Sequence, residues 1–316
     1  MRAKAQIGFT LVEMSIVLVI IGLIVGGVLV GRDLIDAATI RAQIAQIEKF
    51  QAAVNTFRSK YGYLPGDIPD PKATQYGFVV RGAAEGQGDG SGIIEGSAFW
   101  SGGTNPCSYC PFTIGAGEAA LFWSDLATAN LVNGGFSGAG AVSLSSDISG
   151  LTIRQYAPEA KMGRGNYIYV WSGGWGANNS MPDGKNYFGL SRIDQINSGD
   201  GMANTSQGLT VAEAYNIDTK LDDGMPQFGR IMAIYPNDYL GGAVWAAQCD
   251  WESSQQCDGD NDNSSNGGPV TDIGNSGNGF GITNPCYDNS SGVPERYAIN
   301  HNKGADISCA LSFQFQ

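Results

Sequence analysis

One carboxylate stands inside an apolar run, and its position limits the chemistry open to the start of the chain. From Phe9 to Gly31 the sequence is almost wholly apolar, and Glu13 carries the single charge of that stretch. An ionised carboxylate in hydrocarbon costs about +2.5 to +3.5 kcal/mol on insertion scales. The stretch offers no basic residue, so Glu13 needs a partner from elsewhere. The residues before it provide one. Met1 to Gly8 form a polar leader with Arg2 and Lys4 and no acid. A secretory signal peptide places its apolar core before the cleavage site, whereas here the small residue, Gly8, precedes the core. Hydrolysis of the Gly8–Phe9 bond would leave the apolar segment on the mature chain and create a new amino terminus at Phe9.

Two further groups of residues have types suited to chemistry. Cys107, Cys110, Cys249, Cys257, Cys286 and Cys309 all follow residue 72. An even count predicts three disulfides and an oxidising compartment. Short loops favour Cys107 with Cys110, Cys249 with Cys257 and Cys286 with Cys309 among the possible pairings. Zinc would compete for Cys107 and Cys110, but a second ligand pair at a usual spacing is missing and His301 is the sole histidine. A redox role for the same motif lacks its βαβ context. After Cys257, the residues Asp258, Asp260 and Asp262 alternate with Gly and Asn, like the opening of an EF-hand-type loop. Ca²⁺ takes six to eight oxygens. The loop departs from that pattern at Asn263 and Pro269, so a site would draw on Asp250 or Asp272 and on backbone carbonyls; a solvated acidic turn is the competing reading. Asp89 and the group Asp218, Asp222 and Asp223 are weaker candidates for the same ion, with turns and caps the favoured reading. No HExxH, GxSxG or phosphate-binding GxxxxGK[ST] occurs. The chain therefore reads as a non-enzyme.

The element that must position Glu13 is a helix. No proline interrupts residues 9–64. After the apolar run, Leu34, Ala37, Ile40, Ile44, Ile47, Phe50, Val54 and Phe57 recur at spacings of three or four, one face of a helix. Arg41, Gln43, Gln46, Glu48, Lys49, Asn55 and Arg58 fall largely elsewhere. One helix is expected over 9–60, with a membrane-spanning segment at about 9–31, and the run of 23 residues suffices to cross a bilayer. At 1.5 Å per residue the helix is about 75 Å long, so its second half must pack on a globular domain. Gly62 and Tyr63-Leu64-Pro65-Gly66-Asp67 end it. Gly22 with Gly26, and Gly27 with Gly31, have the spacing that lets helix backbones approach closely. Arg2 and Lys4 keep the leader cytoplasmic and the bulk translocated.

The remainder sets the class. The chain has 316 residues, and the 244 from 73 onward suffice for one large domain with a core. Those residues hold ten basic and 24 acidic side chains, a net of −14, which argues against nucleic acid as a partner. With 46 glycines in the chain, turns dominate after residue 72. Residues 85–96 read as a glycine-rich loop, Glu118 to Leu131 and Thr210 to Lys220 as short helices, and Asn166 to Val170 and Arg230 to Tyr235 as strands. Trp171 and Trp175 suit either a core or an exposed platform, the core being favoured. The expected architecture is α+β: leader 1–8, helix 9–60, linker 61–72, and a β-rich, loop-rich, disulfide-tied domain over 73–316.

The order of leader, Gly8, Phe9 and Glu13 resembles type IV prepilins and type II secretion pseudopilins. The segments YGYLPGDIP, GDG, ALFWSDLATANLV and IDTKLDDGMPQFGRI look like a group of large prepilin-type proteins. The resemblance implies cleavage after Gly8 by prepilin peptidase and N-methylation of Phe9. It implies that Glu13 pairs with the amine of a neighbouring subunit and sets axial register in a filament. It also implies partners in other pilin or pseudopilin subunits and an inner-membrane assembly platform. Location is then a single-pass inner-membrane protein that later enters a periplasmic or extracellular filament. No cofactor is required, and Ca²⁺ is the one ligand suggested, since major pseudopilins bind it in a C-terminal loop. Many type IV pilins carry a proline partway along this helix; here Val30 lies near that point and the glycines are the local alternative. The expected function is a structural subunit of a pilus-like filament, with a type II secretion pseudopilin, a minor pilin or tip adhesin, and lastly an anchored periplasmic enzyme as alternatives. If the Asp258 loop binds calcium, Ca²⁺ raises the melting temperature of the soluble domain and Asp260→Ala abolishes the increment; an unchanged melt would refute the site.

Overall fold

The computed structural model describes residues 11–82, 86–99, 106–110, 114–136, 138, 140, 144, 146–173, 184–198, 201, 203–237, 242–246, 286–288, 296–300 and 302–316. Its helices are α1 (Leu11–Tyr61), α2 (Lys72–Gln75), α3 (Gly117–Thr128) and α4 (Val211–Leu221). In chain order the strands begin with β1 (Gly96–Phe99), β2 (Pro106–Cys110), β3 (Ile148–Ser149), β4 (Asn166–Ser172), β5 (Asn186–Ile196), β6 (Ala203–Ser206) and β7 (Leu209–Thr210). They continue with β8 (Ile231–Met232), β9 (Ile234–Asn237), β10 (Gly242–Trp245), β11 (Tyr287–Asp288), β12 (Arg296–Tyr297), β13 (Ile307–Cys309) and β14 (Leu311–Gln314). The long helix plus a loop-rich β domain is the α+β class that the sequence pattern implies.

α1 is one uninterrupted helix of 51 residues. Its two halves meet different surroundings. Large apolar residues from Leu11 to Ile35 are exposed, whereas Ile40, Gln43, Ile47, Phe50, Ala53, Val54 and Phe57 are buried against the domain. The docked stripe thus starts about one and a half turns later than the apolar spacing suggested, since Leu34 is 66% exposed. Gln43 is a second departure: the sequence placed it with the polar face, yet it is fully buried. Its Oε1 accepts the Met162 N–H at 3.2 Å. One turn on, Gln46 Oε1 accepts the Lys161 N–H and its amide donates to the Glu159 carbonyl. Two glutamines a turn apart therefore satisfy backbone groups that the helix would otherwise cover, which a polarity pattern cannot foresee.

The sheet that receives α1 is built on β5. β4 and β3 pair along one edge of it, β14 and β6 along the other, and β8 extends the β14 side, all antiparallel. Alternation along the strands divides two cores. Ile168, Val170, Phe188, Leu190, Leu311 and Phe313 pack with the α1 stripe and α3. Tyr167, Tyr169, Trp171, Tyr187, Ile193 and Met232 form the opposite face with Ile114, Ile153 and Tyr156. Trp171 stacks on Tyr187 at 4.9 Å, so it belongs to the core, while Trp175 lies outside the described residues. Gly189 makes this face possible: a Cβ there would come within 2.1 Å of the Tyr169 ring. On the helix side Phe50 meets Trp123 at 4.8 Å and Phe188 at 6.3 Å.

Of the shorter elements, α3 and β4 fall where the sequence signals placed them. α4 is capped by a reciprocal pair in which the Thr210 hydroxyl accepts the Glu213 N–H and the Glu213 carboxylate accepts the Thr210 N–H. The expected strand over Arg230 to Tyr235 is broken at Ala233, whose N–H turns away to the Pro226 carbonyl, so β8 and β9 separate there. Cys286 and Cys309 form a disulfide with Cα atoms 5.0 Å apart, tying the segment before β11 to β13. Cys107 and Cys110 lie on β2; Cys249 and Cys257 lie outside the described residues.

Phe57 is fully buried between Tyr61 and Phe78. Phe57→Ala is expected to destabilise the domain by about 3–5 kcal/mol, read as a lower denaturation midpoint of the detergent-solubilised chain. A change below about 1 kcal/mol would mean that the second half of α1 is not integral to the core.

Candidate functional site

Two regions concentrate polar or charged groups in places where their solvation is restricted. The first is the free half of α1. It holds a window of mean hydropathy 2.8, none of it buried within the chain, in a helix long and apolar enough to cross a membrane. Glu13 lies on this half of α1. A Cβ built on Gly22, Gly26, Gly27 or Gly31 would meet nothing within 4 Å. These glycines therefore open grooves on a bare surface rather than accommodating a neighbour from the same chain. Gly8 and Phe9 lie outside the described residues, as do Asp258, Asp260 and Asp262.

The second region lies where α1 ends, and the sequence reading missed most of it. Asp67 from the turn after α1, Asp89 from the glycine-rich loop and Glu118 from the first turn of α3 each direct a carboxylate oxygen to within 4.8 Å of the others. Asp67 and Glu118 are buried; Asp89 is exposed. The loop wraps the two buried groups with its backbone. Gly90 and Gly92 N–H groups donate to the two Asp67 oxygens at 2.8 and 3.0 Å. Gly88 and Asp89 N–H groups donate to Glu118 Oε1, and Glu95 N–H to Oε2, at 2.9 to 3.2 Å. Burial drives Asp67 up to about 7, helped by the charge of Asp89 and opposed by the amide donors. Burial likewise raises Glu118 well above the carboxylate range, with Asp67 and Asp89 adding repulsion. Each oxygen is aimed at an amide, so the arrangement is a clamp on the loop.

Beside it runs a buried ion pair. Arg81 Nη2 donates to Asp125 Oδ2 at 2.5 Å, and the same oxygen accepts the Gly66 N–H at 2.7 Å. The remaining guanidinium donors reach the Ile68 and Val79 carbonyls at 3.1 Å. Burial raises Asp125 to about 6 against the pull of Arg81. Gly66, at φ +86°, is obligatory here, because a Cβ would lie 2.2 Å from the Glu118 carbonyl oxygen. The signal for this region was an acid, Glu118, inside the buried run EAALFW, facing a loop with glycine at alternate positions, GQGDGSG.

Asp218, Asp222 and Asp223 form the other close carboxylate group among the described residues. Asp218 accepts the Gly224 N–H and the Tyr297 hydroxyl, Asp222 the Ile231 and Arg230 N–H groups, and Asp223 the Met225 N–H. Turn and cap roles account for them.

With this geometry in view, residues 3–29 match the family described as the prokaryotic N-terminal methylation motif. That motif is characteristic of type IV pilins and pseudopilins and supports a pilin-like or pseudopilin protein of structural kind. It implies processing by prepilin peptidase and assembly with other pilin subunits, and with the long apolar helix it fits a membrane-anchored protein. No curated protein and no solved structure matches the chain.

Removing Arg81 strands Asp125 in a dry site. Arg81→Met is expected to cost about 3–5 kcal/mol. The folded-state pKa of Asp125 lies above its unfolded value, so its ionisation penalises folding increasingly as pH rises from about 4 towards 6. Without Arg81 that penalty continues to higher pH, so the deficit in denaturation midpoint is larger at pH 8 than at pH 5. A pH-independent deficit would contradict the buried-charge account.

Proposed function

We propose that this chain is a structural subunit of a type IV pilus-like filament. The supporting observation is the continuity of α1: one helix whose first half is apolar and bare and whose second half is built into the domain core. Such a helix is rigidly coupled to its domain and exposes a surface that needs lipid or other copies of itself. In this reading prepilin peptidase cleaves after Gly8 and methylates Phe9. The bare half-helix holds the subunit in the inner membrane, with the acidic domain on the far side. An assembly platform then moves the subunit into the filament, where the same surface packs against neighbouring helices and the glycine pairs set close approach.

Glu13 supplies the register. A carboxylate and an ammonium are each costly in an apolar core, and pairing Glu13 with the Phe9 amine of an adjacent subunit removes both costs in one alignment only. The order of the sequence supports this: Gly8 stands directly before the apolar segment and Glu13 lies just inside it.

The experiment pairs mass spectrometry of the N-terminal peptide with a Glu13→Ala variant. N-methylated Phe9 in sheared surface material is the outcome expected for a pilus. The same peptide confined to membranes would instead support a periplasmic pseudopilus, and an intact Met1 or Arg2 terminus in every fraction would overturn the reading. Glu13→Ala is expected to insert and be cleaved normally while filament yield falls at least about tenfold, the effect of losing more than about 1.4 kcal/mol per subunit contact. Normal yield would refute the register role.

A further inference from the structure

The carboxylates at the end of α1 do something the filament reading does not use. Asp67 and Glu118 come from elements 51 positions apart in sequence and are both buried, with oxygens within 4.8 Å. Two carboxylates that close repel strongly when both are ionised, which favours keeping one member of the pair protonated. The groups facing them do not neutralise the charge. Asp89 approaches from the loop as a third acid. Glu95 contributes its backbone N–H, while Asp70 is turned to Thr74 and the Arg81 N–H. Lys72 donates to the Tyr63 hydroxyl. Arg81 places its aliphatic stem beneath Gly88 and spends its guanidinium on Asp125 and two carbonyls. Gln316 donates only to the Gly92 carbonyl.

We propose that a proton held by the Asp67–Glu118 pair latches the 86–92 loop onto the end of α1, and that its loss as pH rises towards neutrality releases the loop. The tip of the loop is its exposed part. Asp89, Gly90 and Ser91 are exposed, and the loop's grip on the pair consists of the Gly88, Asp89, Gly90 and Gly92 N–H groups. With both carboxylates charged, water must reach them, and the loop is what excludes it. The sign follows from linkage: the folded latch binds more protons than the open form between about pH 4 and about pH 7, so closure weakens as pH rises through that window. This device is independent of filament assembly and can fail while the filament reading stands.

The test is hydrogen exchange by mass spectrometry on the full detergent-solubilised chain from pH 5.5 to 8.5, corrected for the intrinsic pH dependence of exchange. Protection of peptides covering 86–95 is expected to fall at least about tenfold across the range, the equivalent of one pKa unit, relative to peptides covering β4 and β5. Asp67→Asn and Glu118→Gln each remove one charge of the pair. Both are expected to flatten the pH dependence even where they lower absolute protection. Asp125 and Asp218, whose pKa values burial also raises, stay intact in both variants and so serve as internal controls. A flat profile in the unmodified chain, or an equal slope in the variants, would overturn the latch. Loss of protection on adding EDTA at constant pH would also overturn it, by assigning the clamp to a bound cation.

Discussion

The structure depends on one constraint: a single unbroken helix must be compatible with two surroundings. The backbone of α1 satisfies its own hydrogen bonds throughout, which is what allows its first half to stand free of the domain and to enter hydrocarbon. Its second half has to present a stripe wide enough to complete a core. Phe50 and Phe57 do this, the first against Trp123 and Phe188, the second against Tyr61 and Phe78. Because no break separates the halves, one continuous helix joins the free end to the sheet. That coupling makes the helix suitable for a subunit whose position is decided at one end and whose outer surface is displayed at the other.

Around the docked half, the protein solves a polar problem as much as an apolar one. β5 lies between β4 and β14 over residues 187–190, so its backbone is paired on both sides there and its side chains divide between two cores. Where α1 crosses the 159–162 segment, Gln43 and Gln46 accept and donate the bonds that a neighbouring strand would have supplied. Where α1 ends, Asp67 and Glu118 gather the N–H groups of a loop too rich in glycine to form a ladder of its own, and Asp125 takes the Gly66 N–H of the turn after α1. Buried carboxylates are an expensive way to hold a loop. They are also sensitive to charge, which an apolar plug would not be. The Cys286–Cys309 link joins β13 to the segment before β11, within the core that also receives α1.

Much of this was readable from residue order, and the reasons differ by element. The length and end of α1 follow from local rules: no proline over 9–64, a period near 3.6, and Gly62 with Pro65 beyond. Thr210 with Glu213 marks the start of α4 in the same local way. The Cys286–Cys309 pair agrees with the short-loop preference. By contrast, β5, the strand on which the sheet is built, carries no clean alternation, because its first six residues are buried on both faces and Gly189 and Ser191 interrupt the apolar run. Gln43 is polar and lies off the apolar stripe, so residue type alone points it away from the core. Asp67 and Glu118 were invisible as a pair, since nothing in either neighbourhood names the other.

What the sequence determined by itself is therefore one-dimensional: an apolar span with one carboxylate near its start, a leader ending in glycine, a helix of about 50 residues, and an acidic domain rich in turns. These depend on neighbours within a few positions, where spacing and conformational preference suffice. Only the tertiary structure decided which half of the helix is bare, which glutamines are interior, and which acids meet. Those outcomes depend on contacts between residues tens to hundreds of positions apart, where burial and mutual desolvation are properties of the assembled fold and of no single segment.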